Sequence, residues 1–373
     1  MSDGASPQWI RGTTSRQAHA DLPPGTVEEE HGREGFTGRA SHLYRMHAPT
    51  GWRSIRGPLQ PHALDTATVG PDDGLAAALL ENDDVRIGFW PLPAGGTDWF
   101  LREADGDVCY FVHEGTGTLG TEYGPLTYAP GDFLVVPRGT THRFECETAT
   151  GALCVTALEG SLSLPDRGLL GRHALFDPAI LEVPEPAPRD EAGDFEVRVR
   201  RAGATSTLVY PFHPFDVIGW KGDLAPVRLH VDDFRPVTSP RYHLPPSAHT
   251  TFAGSRFVIA TFAPRPFETD PGVLRVPFFH RNIDYDEVIF YHRGQFFSRV
   301  GIGAGMMTFH PAGIHHGPQP GAITRAAERG PGGETDEVAI NIDARRPLRL
   351  TGAGAAASVA DYANSWRDPS VSD

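Results

Sequence analysis

The chain has 373 residues, 39% of them hydrophobic, which is long enough for two domains with complete cores and too apolar for a disordered protein. A formal net charge of -14 argues against nucleic acid or an anionic membrane surface as a partner, because either would repel so acidic a body. The 42 glycines and 34 prolines favour short strands joined by tight turns over a helical bundle.

In chain order, the opening MSDGASPQWIRG lacks the apolar centre of a signal peptide. No later run nears the roughly eighteen apolar residues of a membrane span, so the expected location is cytoplasmic. Residues 1–40, with EEEHGREG inside, show neither strand alternation nor a helical stripe and read as an arm. Residues 41–165 read as a first β module, with runs such as VRIGFWPL, DVCYFVHEG, GPLTYAPGDFLVVP and ALCVTALEG bounded by turn residues. Its cysteines, Cys109, Cys146 and Cys154, are odd in number with apolar neighbours, as expected of buried thiols in a reducing compartment. Residues 166–194 carry Pro178, Pro184, Pro186 and Pro188 and read as a connection. A second β module is expected over 195–350, with FEVRVRRAG, STLVYPF, RFVIATFAP, EVIFYHRG, MMTFHPAG and EVAINID as its strands. The Ala-rich GAGAAASVADYANSW within 351–373 predicts a short helix before a loose tail. The predicted class is all-β: two tandem modules, an N-terminal arm and a short C-terminal helix.

The first module resembles a cupin barrel in its order of Gly115, then Pro130-Gly131-Asp132, then Pro137 and His142. The paired histidines and glutamate of a cupin metal site are missing there, so His142 reads as a structural histidine and the module as degenerate. The second module carries ligand types instead: His280, Glu287, His310, His315 and His316. Two histidines and one carboxylate on one face of an octahedral ion leave three positions open, the arrangement of non-haem Fe(II) sites. Seven extended residues span about 23 Å, so His280 and Glu287 can share an ion only if the chain folds back between them, where Asn282, Asp284 and Tyr285 allow a turn. Strand parity favours Glu287 over Asp286. Parity also separates His315 from His316, and composition leaves that choice open.

HRN followed by Glu and RG, together with FHPAGIHHGP, resembles the homogentisate 1,2-dioxygenase family. So do HPFDVIGWKGDLAPVRLHVDDF, GFTGRASHLYRM, YHLPPSAHT and SWRDP, and the similarity spans most of the chain. The resemblance implies His280, Glu287 and His316 as Fe(II) ligands, His243 as the acid/base histidine and His310 as a histidine behind the ligands near the substrate. Asn282, Arg281 and Phe296 would lie near the substrate, although Arg281 suits an interdomain salt bridge equally well. It also implies a small aromatic substrate, O2 as co-substrate and a homo-oligomer whose arm wraps a neighbouring subunit. This chain departs from the family pattern by one residue inserted before the carboxylate, and by Phe278, Phe279 and Phe296 where tyrosines are usual. The resemblance implies homogentisate as the substrate, whereas the lost hydroxyls point instead to a related hydroquinone or dihydroxylated aromatic with different polar groups. The competing classes are a zinc or manganese cupin isomerase or hydrolase, and a non-enzymatic bicupin that binds a small ligand.

Overall fold

The computed structural model describes residues 9–275, 278–282, 284–296, 298–299, 301–319, 322 and 332–366. The early strands are β1 (Val27–Gly32), β2 (Ala40–Arg45), β3 (His62–Asp65), β4 (Ala77–Glu81), β5 (Val85–Leu92), β6 (Phe100–Glu103) and β7 (Asp107–Glu114). Next come β8 (Gly117–Thr121), β9 (Gly124–Tyr128), β10 (Asp132–Val136), β11 (Thr141–Cys146), β12 (Thr150–Ala157), β13 (Ala192–Arg201), β14 (Ala204–Phe212) and β15 (Val227–His230). The rest are β16 (Thr250–Ala253), β17 (Phe257–Phe262), β18 (Phe279–Asn282), β19 (Asp286–Arg293), β20 (Met306–His310), β21 (Val338–Ala344) and β22 (Arg349–Leu350).

Two sheets, in spatial order β15-β10-β7-β12-β5-β4-β22 and β14-β13-β6-β11-β8-β9, enclose the first core, where Trp90, Tyr110, Leu119, Leu134 and Phe144 interdigitate. A second pair, β16-β17-β21-β19-β20-β3 and β18-β1-β2, forms the other module. The larger sheets pack back to back through Ile87, Phe89, Phe111, Val155, Val288, Phe290 and Ile342. This explains why β5, β12 and β19 read as unbroken apolar runs: both of their faces are covered. Within β19 parity sorts the side chains, with Val288 and Phe290 joining the inter-module core while Ile289 and Tyr291 belong to a cluster inside the second barrel. The architecture is all-β with two tandem cupin barrels, as expected.

Three expectations about boundaries need correction. The arm is not structureless, because β1 inserts between β2 and β18, pairing antiparallel with one and parallel with the other within its own chain. A run of three glutamates has poor strand propensity, but an open strand edge and cations on both faces override it. Residues 195–230 do not belong to the second module: β13 pairs with β6 and β15 with β10, completing the first, while β3 crosses to pair with β20. Finally, the segment after the Gly352–Ala356 helix is not loose as far as Trp366, whose side chain is fully buried.

All three cysteines are free and buried. Burial pushes the Cys154 thiol up, as it does Cys109. Among the described residues no helix is long and apolar enough to cross a membrane.

Candidate metal centre

The chain reaches the site from two sheets. β18 carries His280 and pairs with β1; after three intervening residues β19 begins in the facing sheet with Asp286 and Glu287. Asp284 sits in this turn and accepts hydrogen bonds from Nε of Arg33 at 2.6 Å and the backbone N–H of Glu34 at 2.9 Å, so the arm braces the reversal. His316 arrives on the other flank of β18, where its backbone exchanges N–H···O bonds of 2.9 and 3.1 Å with His280. Gly317 makes that approach possible: its φ is +147°, and a Cβ there would lie 2.9 Å from Cα of Phe279.

The donor atoms of His280, Glu287 and His316 all lie within 4.8 Å of one another, and all three residues are buried. Nε2 of His280 and Nε2 of His316 each stand 3.8 Å from an oxygen of Glu287. Their Nδ1 atoms lie 3.0 and 3.1 Å from the carbonyls of Phe278 and Ile314, so Nδ1 carries the proton and donates it, and Nε2 keeps the lone pair. Nε2 of His280 is buried and without a hydrogen-bond partner. An orphaned lone pair beside a carboxylate suits a cation, and the donor set matches a divalent first-row ion.

Asp286 and His315 face away. Asp286 accepts 2.7 Å hydrogen bonds from the backbone N–H groups of Ala312 and Leu348. His315 lies 3.1 Å from Glu29 on the other face of the sheet. His310 sits behind Glu287, with Nδ1 at 2.8 Å from its carboxylate and Nε2 at 3.3 Å from the Tyr362 hydroxyl. Burial alone would raise the carboxyl pKa of Glu287, but the imidazoles of His316, His280 and His310 outweigh it and hold the group well below the usual range. Burial holds His316 and His310 below the usual imidazole range.

A cavity opens onto His280 and Glu287. His243 also lines it, and its Nδ1 lies 2.8 Å from Glu268, leaving Nε2 for a ligand. Burial lowers the His243 pKa and Glu268 raises it, with burial prevailing. Phe278, Tyr291, Arg265 and Arg299 are among its other polar and aromatic lining residues, with Glu337, His249, Phe262 and Ser298. Two residues expected near a substrate lie elsewhere. Arg281 points to Glu29 at 3.6 Å, because the alternation of β18 sends it to the face opposite His280. Phe296 packs its ring on Tyr291 at 4.8 Å, behind the cavity wall. The side chain of Asn282 lies outside the described residues. Glu268, Arg265 and Arg299 went unnoticed in the sequence, since none stands in a spacing pattern that marks it. In the first barrel His142 is fully buried between the Tyr110 hydroxyl at 2.9 Å and the Thr140 carbonyl at 3.0 Å, and burial lowers its pKa to about 4.

Residues 82–231 match the family model described as homogentisate 1,2-dioxygenase N-terminal. The Saccharolobus solfataricus protein named "Putative dioxygenase SSO1533" is 33% identical over 87% of this chain and 88% of its own length. The homogentisate 1,2-dioxygenase of Bradyrhizobium diazoefficiens is 28% identical over 72% of this chain, and the match spans 63% of that relative. Among solved structures, a cupin 2 conserved barrel domain protein from Leptotrichia buccalis aligns over 76% of the chain and 96% of its own, with a TM-score of 0.36 and 10% identity. The family-model match to 82–231 and the near full-length relative together identify the chain as a divergent member of the homogentisate 1,2-dioxygenase family, and an oxygenase of the cupin class.

Proposed function

We propose that the protein is an Fe(II)-dependent dioxygenase that opens the ring of homogentisate or a related dihydroxylated aromatic acid with O2. The observation that carries this reading is a two-histidine, one-carboxylate cluster on a cavity that is also lined by a histidine backed by a carboxylate. His280, Glu287 and His316 would hold the metal. Bound there, ferrous iron supplies the redox chemistry that lets triplet oxygen react with a closed-shell ring, and both oxygen atoms end in the product.

The remaining roles belong to the chain. Glu268 accepts the Nδ1 proton of His243 and fixes its tautomer, so Nε2 can take a phenolic proton. Depression of the His243 pKa keeps that imidazole neutral, and therefore basic, at neutral pH. Arg265, whose Nη1 is 3.6 Å from Glu337 and makes no hydrogen bond, offers a cation to a substrate carboxylate. Phe278 covers the ring and keeps bulk water from it. The relatives named homogentisate 1,2-dioxygenase support homogentisate, while the phenylalanines around β18 support a ring with fewer hydroxyl contacts.

The test is anaerobic reconstitution with ferrous iron, followed by oxygen uptake against hydroquinones, catechols and their carboxylated forms. Stoichiometric uptake with ring-opened product is expected for a carboxylated hydroquinone. Absence of uptake across the panel with iron bound would overturn the reading.

A further inference from the structure

β1 carries a second cluster. The donor atoms of His19, Glu30 and His42 lie within 4.8 Å of one another. His19 is 7% exposed and Glu30 7%, while the side chain of His42 is 25% exposed. Glu30 is a buried carboxylate without a hydrogen bond among the described residues; its nearest cation is Nε2 of His42 at 3.7 Å. The cluster is prepared on both sides. Glu28 takes Nδ1 of His19 at 2.5 Å and its backbone N–H at 3.1 Å, so the histidine presents Nε2, as carboxylate-backed histidines do at metal sites. Nδ1 of His42 is buried without a hydrogen bond. Gly32 leaves room for the Glu30 carboxylate, because a Cβ there would sit 2.9 Å from Oε1.

Register shows where this cluster stands. Glu30 is opposite His42 on β2 and opposite His280 on β18, and His280 is opposite His316. His42, Glu30, His280 and His316 thus form one row across neighbouring strands on a single face, at strand spacings of about 4.8 Å. The His19 ring stacks on Phe278 with centroids 4.2 Å apart, closing the cluster over. None of its three residues lines the cavity, so the cluster stands apart from the space open to substrate.

We propose that His19, Glu30 and His42 bind a second divalent cation, zinc by donor type, which fastens the N-terminal arm to the strand that carries His280. Donors on one zinc at about 2.1 Å stand roughly 3 to 4 Å apart, so the side chains need close by only about 1 Å. The site has no redox duty and is separate from the proposed iron centre.

The decisive measurement is the zinc-to-protein ratio of the full chain after chelation and titration with Zn²⁺ alone, read beside anomalous scattering at the zinc edge. Two ions per chain are expected, with one anomalous peak between His19, Glu30 and His42. The isosteric Glu30→Gln change should remove that ion and keep the one at Glu287; Glu287→Gln should do the reverse. A Glu30→Gln protein that fails to fold leaves the wild-type map to decide. A single peak at the His280 cluster, or a ratio of two unchanged by Glu30→Gln, would overturn the proposal. A single peak at the arm instead supports it while counting against the iron-site reading.

Discussion

At the residue scale the chemistry turns on tautomers set by backbone carbonyls and carboxylates. Glu287→Gln removes the carboxylate that stands among three imidazoles, and the expected outcome is loss of bound iron by elemental analysis, with activity falling alongside. His243→Ala leaves the donor cluster intact, so iron content should hold while kcat drops by about 10² to 10⁴, the usual range for a lost general base. Glu268→Gln gives a finer test. Glu268 raises the His243 pKa against burial, so removing its charge lowers that pKa further. The acidic limb of the kcat profile, where His243 becomes protonated and inactive, should move to lower pH with a reduced plateau. A purely structural Glu268 would leave the limb in place.

At the scale of elements, the three-stranded sheet is the part of the molecule on which the site depends. β18 has β1 on one side and the His316 segment on the other, so the histidine pair is spaced by the ladder and not by side-chain packing alone. Gly317→Ala would place a methyl against Phe279 in a backbone conformation that side chains disfavour. The expected result is weaker iron retention at unchanged His243, seen as faster loss of metal to a chelator. On the outer face Glu29 gathers Arg45, Arg281 at 3.6 Å and His315 at 3.1 Å. Burial pushes its carboxyl up, but His315 and Arg45 prevail and hold it below the usual range.

For the whole molecule, the inter-module core and the buried neutral histidines govern stability. Phe290 is fully buried between the two large sheets, 6.1 Å from Phe89, and Phe290→Ala should cost about 3–5 kcal/mol in denaturant unfolding. Burial lowers the His142 pKa to about 4 and the His292 pKa to about 3, from 6.5 when unfolded. The unfolded chain therefore takes up protons first as pH falls. The stability contributed by these histidines is present above pH 6.5 and declines from there down to about pH 4 for His142, by of order 3 kcal/mol for that group. Equilibrium unfolding across this window should show the slope, and His142→Gln should make it shallower.

Much of this was legible from residue patterns. Apolar alternation and turn residues located β5, β7, β10, β12, β19 and β21, because strands buried on both faces leave unbroken apolar runs. The row of histidines around Pro311 and the parity of Glu287 in β19 marked a cluster, since alternation along a strand is a local rule. The pairing of β1 with β18, the crossing of β3 and the donation of β13–β15 to the first module were decided only by tertiary structure, because a strand edge takes whichever segment supplies the ladder and the countercharges. The same holds for Glu268 behind His243 and for the opposite faces taken by His315 and His316, which parity and composition left open and only the family resemblance had ranked. Those depend on which faces meet across a distance that no sequence spacing records.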